Sequence, residues 1–196
     1  TVPSVTLNRM CGSSQQAIHF AAQAIAAGDM DIAIGAGVEC MSHVTMGSDY
    51  PEQFYAGIPY DLIPQGISAE LICDKWSISR EALDRYSYES HQKAAAATAA
   101  GYFKAEIVPI TVNQNGADVL LDYDEGFRAN VELAKMGLLR PAFRANGRIT
   151  AGSSSQISDG AAAVLLASEE GLKRHNLTPR ARIVARVVVG SDPVIM

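Results

Sequence analysis

The sequence has 196 residues, a formal net charge of -5, 48% hydrophobic residues and 19% charged ones. That is enough apolar material for one large domain or two small ones, and it excludes a disordered chain. The acidic balance argues against a nucleic-acid partner, and no apolar run reaches the roughly 18 residues of a membrane span.

The opening Thr1-Val2-Pro3-Ser4 lacks the basic and apolar regions of a signal peptide. Val2, Val5 and Leu7 read as the end of a strand. Gly12-Ser13-Ser14 then supplies cap chemistry, and an alanine-rich helix is expected from about Ser13 to Ala27, stopped by Gly28. Cys11 stands where strand gives way to helix. The unpaired N–H groups and positive dipole end of a helix favour thiolate over thiol there, which suits a nucleophile. A buried cysteine acting as a small hydrophobe is the other reading of the same position. Cys11, Cys40 and Cys73 are odd in number and widely spaced. They form neither a disulfide framework nor a paired zinc spacing, so reduced thiols in a cytoplasmic compartment and no metal site are expected.

Asp31 to Glu39 follows as a short apolar strand. Strand, helix and strand in that order predict a parallel βαβ unit with a right-handed crossover, in a sheet covered on both faces. Gly35 and Gly37 lack the third glycine and the following helix of a dinucleotide fingerprint, so close backbone packing accounts for them better. Met41 to Gln65, with Tyr50, Pro51, Tyr55 and Pro59, reads as a long loop of the kind used for binding. A short helix over Ile67 to Trp76 and a longer one from Ser79, ended by Gly101, come next. His91 lies on the longer helix as a surface or packing histidine. Glu106 to Val112 and Val119 to Tyr123 read as strands of a hairpin, separated by Asn113-Gln114-Asn115-Gly116.

Phe127 to Arg148 holds Arg128, Lys135, Arg140, Arg144 and Arg148 against only Glu132. Such a cluster is either a solvated cationic face or a site for a phosphate-bearing ligand. Thr150-Ala151-Gly152-Ser153-Ser154-Ser155 is rich in small and hydroxyl residues, which let a ligand approach backbone closely. Ala161 to Leu166 reads as a strand, Ser168 to Asn176 as a helix capped by Ser168, and Ala181 to Val189 as an apolar strand. The whole is an α/β domain interrupted by an excursion over roughly 41–157.

Asn8-Arg9-Met10-Cys11-Gly12-Ser13-Ser14 resembles the nucleophile motif of the thiolases. Gly35-Ala36-Gly37-Val38-Glu39-Cys40-Met41-Ser42, Gln65-Gly66-Ile67-Ser68-Ala69-Glu70, Leu139-Arg140-Pro141-Ala142-Phe143 and Thr150 to Ser155 resemble further family segments in the same order. The resemblance implies a layered α/β fold in three parts: 1–40 with the nucleophile elbow, 41–157 as a loop domain covering coenzyme A (CoA), and 158–196 returning to the first layer. It implies an acyltransferase that cleaves 3-ketoacyl-CoA to acetyl-CoA and a shortened acyl-CoA, or runs the reverse Claisen condensation, with Cys11 carrying the acyl group. By the same resemblance Arg128 suits the nucleotide phosphate, Ser155 lies along the pantetheine, and Phe143 and Ala151 are apolar contacts. CoA is then a co-substrate with no tightly bound cofactor, acyl-CoA is the partner, and the intact protein is a homodimer or homotetramer.

The sequence departs from the family pattern in places. The first strands and second half of a family subunit, with the Asn-Glu-Ala-Phe segment, the His-Pro-x-Gly histidine and the Cys-x-Gly-Gly-Gly cysteine, have no match, so this polypeptide alone is expected not to turn over substrate. Gln156 stands where many relatives have glycine, which points to a reshaped pantetheine tunnel. Pro64-Gln65 in place of a His-Met pair favours a degradative enzyme taking a longer or bulkier acyl group. A ketoacyl-synthase-type condensing enzyme and a non-catalytic CoA- or lipid-binding module are the other classes the residues allow.

Overall fold

The computed structural model describes residues 2–48 and 57–195. Its chain divides into two units, one of Thr1–Tyr50 with Ile157–Gly190, the other of Pro51–Gln156 with Ser191–Met196.

In the first unit the small-residue run forms helix α1, Ser13–Ala27. Gly28 ends it in the left-handed region at φ 85°, a conformation that costs glycine little. Its N–H reaches Ile25 O at 3.1 Å and the Asp29 N–H reaches Ala24 O at 3.0 Å, so the last carbonyls are satisfied. Strand β1, Ile32–Glu39, follows. A Cβ on Gly35 would lie 2.7 Å from Ile18 Cγ1, and one on Gly37 would collide with the Ser14 hydroxyl. These glycines let α1 settle onto the strand, as the sequence led us to expect.

Among the described residues β1 pairs outside the expected parallel βαβ unit. Its partner is β4, Gly160–Ala167, and the ladder is antiparallel from Ile32 opposite Ala167 to Glu39 opposite Gly160. The segment of Val2, Val5 and Leu7 enters no ladder, and neither does 181–189. β-branched composition supplies only a tendency; a strand exists where a partner meets its N–H and C=O groups. Val5 and Val184 are accordingly 87% and 90% exposed. Helix α1 covers the face of β1 that carries Gly35 and Gly37, and Val38 and Leu165 are exposed. Helix α5, Glu169–His175, closes the unit. Ser168 Oγ accepts the Gly171 N–H at 2.9 Å and donates to Asp31 Oδ1 at 2.8 Å. Acidic residues in the first turn and basic ones in the last complement the helix dipole.

The second unit contains α2, Gln65–Lys75, and α3, Arg80–Ala99. Ser79 caps α3 by accepting the Ala82 N–H at 3.2 Å. Strands β2, Ile110–Gln114, and β3, Ala117–Leu121, form the expected hairpin. Asn115 and Gly116 turn it at φ 53° and 88°, and Asn113 Oδ1 accepts the Gly116 N–H. Helix α4, Leu133–Gly137, is tied to α3 through Arg80, which pairs with Asp84 at 2.7 Å and donates to Met136 O at 2.6 Å. Of the predicted long loop, Tyr50, Pro51 and Tyr55 lie outside the described residues. Among the described residues no helix is long and apolar enough to cross a membrane.

Candidate functional site

Cys11 occupies a single 3-10 turn, Met10–Gly12, that runs directly into α1. The bend depends on Met10, which adopts φ 52° although it is not glycine. Such a backbone costs about 1–3 kcal/mol and persists only where neighbours over-determine it. Asn8 Oδ1 accepts the Met10 N–H at 2.8 Å, and the Ser13 hydroxyl donates to Met10 O at 2.7 Å. Ser13 Oγ also accepts the Arg9 N–H at 2.8 Å, and the Gly12 N–H reaches Arg9 O at 3.1 Å. The turn is thus bonded on both sides, and it holds an exposed thiol at the start of a 15-residue helix. The alternative reading of Cys11 as a buried small hydrophobe does not describe it.

The other two cysteines have different settings. Cys40, also exposed, follows β1. Cys73 is buried in α2, where desolvation and then the charge of Glu70 push its thiol up from the ordinary range. It is held as the neutral, inert form.

The second unit holds a cavity of about 840 Å³. One wall is α3 with Ser87, Ser90 and His91; another is 128–132 and the start of α4; the third is 151–156. The last wall is braced from within. Thr150, fully buried, accepts on its carbonyl from the Ser153 N–H at 3.1 Å and the Ser154 hydroxyl at 2.7 Å. Thr150 Oγ1 accepts the Gly152 N–H at 3.1 Å. The Ser155 side chain takes no part in this network and lines the cavity. Gln156 lines it too, and its amide donates to Gly126 O.

Arg128, Ala151 and Ser155, three of the positions singled out from the sequence, therefore meet on one cavity. Phe143 belongs to the same unit but is not among its lining residues; its ring lies so close over Gly66 that a Cβ there would collide with it. Cys11 belongs to the other unit.

The basic stretch does not act as one cationic face. Arg144 reaches Asp74 at 2.8 Å and Glu70 at 3.3 Å, Arg148 reaches Asp74 at 3.2 Å, and Lys135 pairs with Glu132. The Arg144 hydrogen bond, with the charges of both arginines, holds the Asp74 carboxyl below its usual range. Arg128 is left with no acidic partner among the described residues.

Glu70 is the residue that the sequence reading passed over. It is fully buried, and its carboxylate accepts the Arg148 and Ile149 N–H groups at 2.9 Å. Gly147 leaves room for it, since a Cβ there would strike Glu70 Oε1. Glu70 and Asp74 lie four apart on α2, one turn of helix, and that spacing was the available signal. Among the described residues no group of three or more His, Cys, Asp or Glu side chains could hold a metal ion.

Comparison with known proteins adds an independent line. Residues 1–170 match the family model for the N-terminal domain of thiolase. The chain is 46% identical over 200 residues to a 3-ketoacyl-CoA thiolase of Serratia proteamaculans, covering all of this chain and 52% of that protein. It is 45% identical over 202 residues to a 3-ketoacyl-CoA thiolase of Yersinia pestis, with the same coverage. The crystal structure of human mitochondrial 3-ketoacyl-CoA thiolase superposes with a TM-score of 0.86 at 36% identity, over 98% of this chain and 53% of that one. The chain thus spans about half the length of the relatives it matches.

Proposed function

The chain belongs to the thiolase family, and from that premise we propose that it supplies the nucleophile and the CoA-binding surface of an enzyme cleaving 3-ketoacyl-CoA. The observation that carries the reading is the exposed thiol of Cys11 on its strained, doubly bonded turn at the head of α1. The names of the relatives, 3-ketoacyl-CoA thiolases, support the substrate class.

The Cys11 thiolate attacks the 3-keto carbon. The bond between C2 and C3 then breaks, its electron pair stays on C2 of the departing acetyl-CoA enolate, and a proton completes acetyl-CoA. Cys11 retains the shortened acyl group as a thioester. The thiol of free CoA gives up its proton and attacks that carbonyl, releasing acyl-CoA and restoring the cysteine. The reverse sequence is a Claisen condensation.

Unit two is the loop domain that covers CoA in this reading. Arg128, uncommitted to any acidic group among the described residues, pairs with nucleotide phosphate, for which a guanidinium is well suited. Ser155 follows the pantetheine with Ala151 beside it, and Phe143, which does not line this cavity, supplies an apolar contact from its place over Gly66. No tightly bound cofactor takes part. The intact protein is a homodimer or homotetramer, and its unpaired cysteines support a cytoplasmic setting.

The test is thiolysis by the full-length protein. With a 3-ketoacyl-CoA and free CoA, the wild type yields acetyl-CoA, and Cys11→Ser lowers the rate at least about a thousandfold. Equal rates in the two proteins would end the reading.

A further inference from the structure

The segment that carries Arg128 has almost no hydrogen bonds of its own. Among the described residues its one internal backbone bond is a long one, from the Val131 N–H to Arg128 O at 3.4 Å. Three side chains from outside hold it instead. His91 Nδ1 accepts the Arg128 N–H at 3.1 Å, Gln92 Nε2 donates to Ala129 O at 3.4 Å, and the Gln156 amide donates to Gly126 O. His91 and Gln92 are consecutive on α3, so one turn of a long helix grips successive peptide groups, one by its N–H and the next by its C=O.

A backbone N–H only donates, so the bond requires an unprotonated Nδ1. The imidazole is then neutral, with its proton on Nε2. The charged groups around this cavity are Arg128 itself and Glu132 and Lys135, which pair with each other.

We propose that His91 is a positioning residue for CoA: its ring nitrogen holds the Arg128 backbone so that the guanidinium stands at the cavity. This rests on the functional reading above, but the clamp is measurable without CoA.

The experiment uses the full-length protein with His91→Asn and His91→Leu. Asparagine places Oδ1 near the position of Nδ1 and accepts at every pH; leucine cannot accept. Hydrogen exchange of the peptide covering 127–131, corrected for intrinsic rates, is followed by mass spectrometry at pH 7.5. CoA affinity is measured by calorimetry at the same pH. The wild type and His91→Asn should be protected, and His91→Leu should not. Affinity for CoA should follow the same pattern, with His91→Leu weaker by about three- to tenfold at pH 7.5. Equal exchange in all three proteins would overturn the clamp whatever CoA does. Equal CoA affinity in all three would overturn the positioning role while leaving the functional reading intact. If the wild type fails to bind CoA at all, the functional reading falls and the CoA role with it, and the exchange pattern alone decides the clamp.

Discussion

Glu70 and Arg148 meet through the backbone: the Arg148 N–H lies 2.9 Å from both oxygens of the buried Glu70 carboxylate. The same carboxylate accepts the next N–H, from Ile149, and so fixes the chain as it enters the serine-rich wall of the cavity. Removing it leaves the Arg148 and Ile149 N–H groups without their acceptor, while Arg144 keeps Asp74. Glu70→Ala should cost about 2–4 kcal/mol of unfolding free energy in urea melts of the full-length protein. A loss within about 0.5 kcal/mol would mean that Glu70 is not the anchor described.

Asp74 gives a prediction in pH. The Arg144 hydrogen bond, with the charges of Arg144 and Arg148, depresses its carboxyl in the folded state below the ordinary 3.8. The folded state therefore binds fewer protons than the unfolded one near that pH. The stabilisation is fully present above about pH 3.8 and is lost as pH falls through the lower, folded value. Asp74→Asn should lower the melting temperature at pH 7, and the gap to wild type should narrow on acidification below pH 4. A gap that holds constant or widens there would contradict the ion pair.

Gly37 lies under the hydroxyl of Ser14, three residues beyond Cys11. A methyl group there forces α1 away from β1. Gly37→Ala should destabilise by about 1–3 kcal/mol and also slow thiolysis, because the displaced helix carries the turn of Cys11. Thermal melts and rates measured on one preparation check both, and a normal rate in a destabilised protein would detach helix position from chemistry.

Asn8 has a narrower task. Its carboxamide oxygen satisfies the N–H of Met10, the residue at φ 52°. Asn8→Ala should cost only about 0.5–1.5 kcal/mol in stability, the worth of one hydrogen bond. The thiolysis rate should fall by about tenfold or more, since misplacing a reacting atom by an ångström has effects of that order. Unchanged kcat would show that the turn holds without Asn8.

Where local chemistry decides structure, the sequence was legible. Gly28 as the stop of α1, Ser79 and Ser168 as caps, and a hairpin turned within Asn113 to Gly116 all carry their reasons within a few residues. Long-range pairing was not legible. Nothing near Glu39 says that Gly160 will lie opposite it, nor that Val184 will lack a ladder. The same holds for charge. Arg144 and Arg148 read as part of a solvated cationic face or an anion site until Glu70 and Asp74, one turn apart on α2 far upstream, are seen beside them. His91 read as a surface or packing histidine because its partner is a backbone N–H, which leaves no mark in a side-chain pattern.

The central claim is that the sulfur of Cys11 carries the acyl group. Full-length protein mixed with a 3-ketoacyl-CoA in the absence of free CoA, quenched in acid and digested, should give a Cys11 peptide heavier by the shortened acyl chain, with the peptides of Cys40 and Cys73 unchanged. An unmodified Cys11 peptide alongside an acyl group on any other residue would contradict the account.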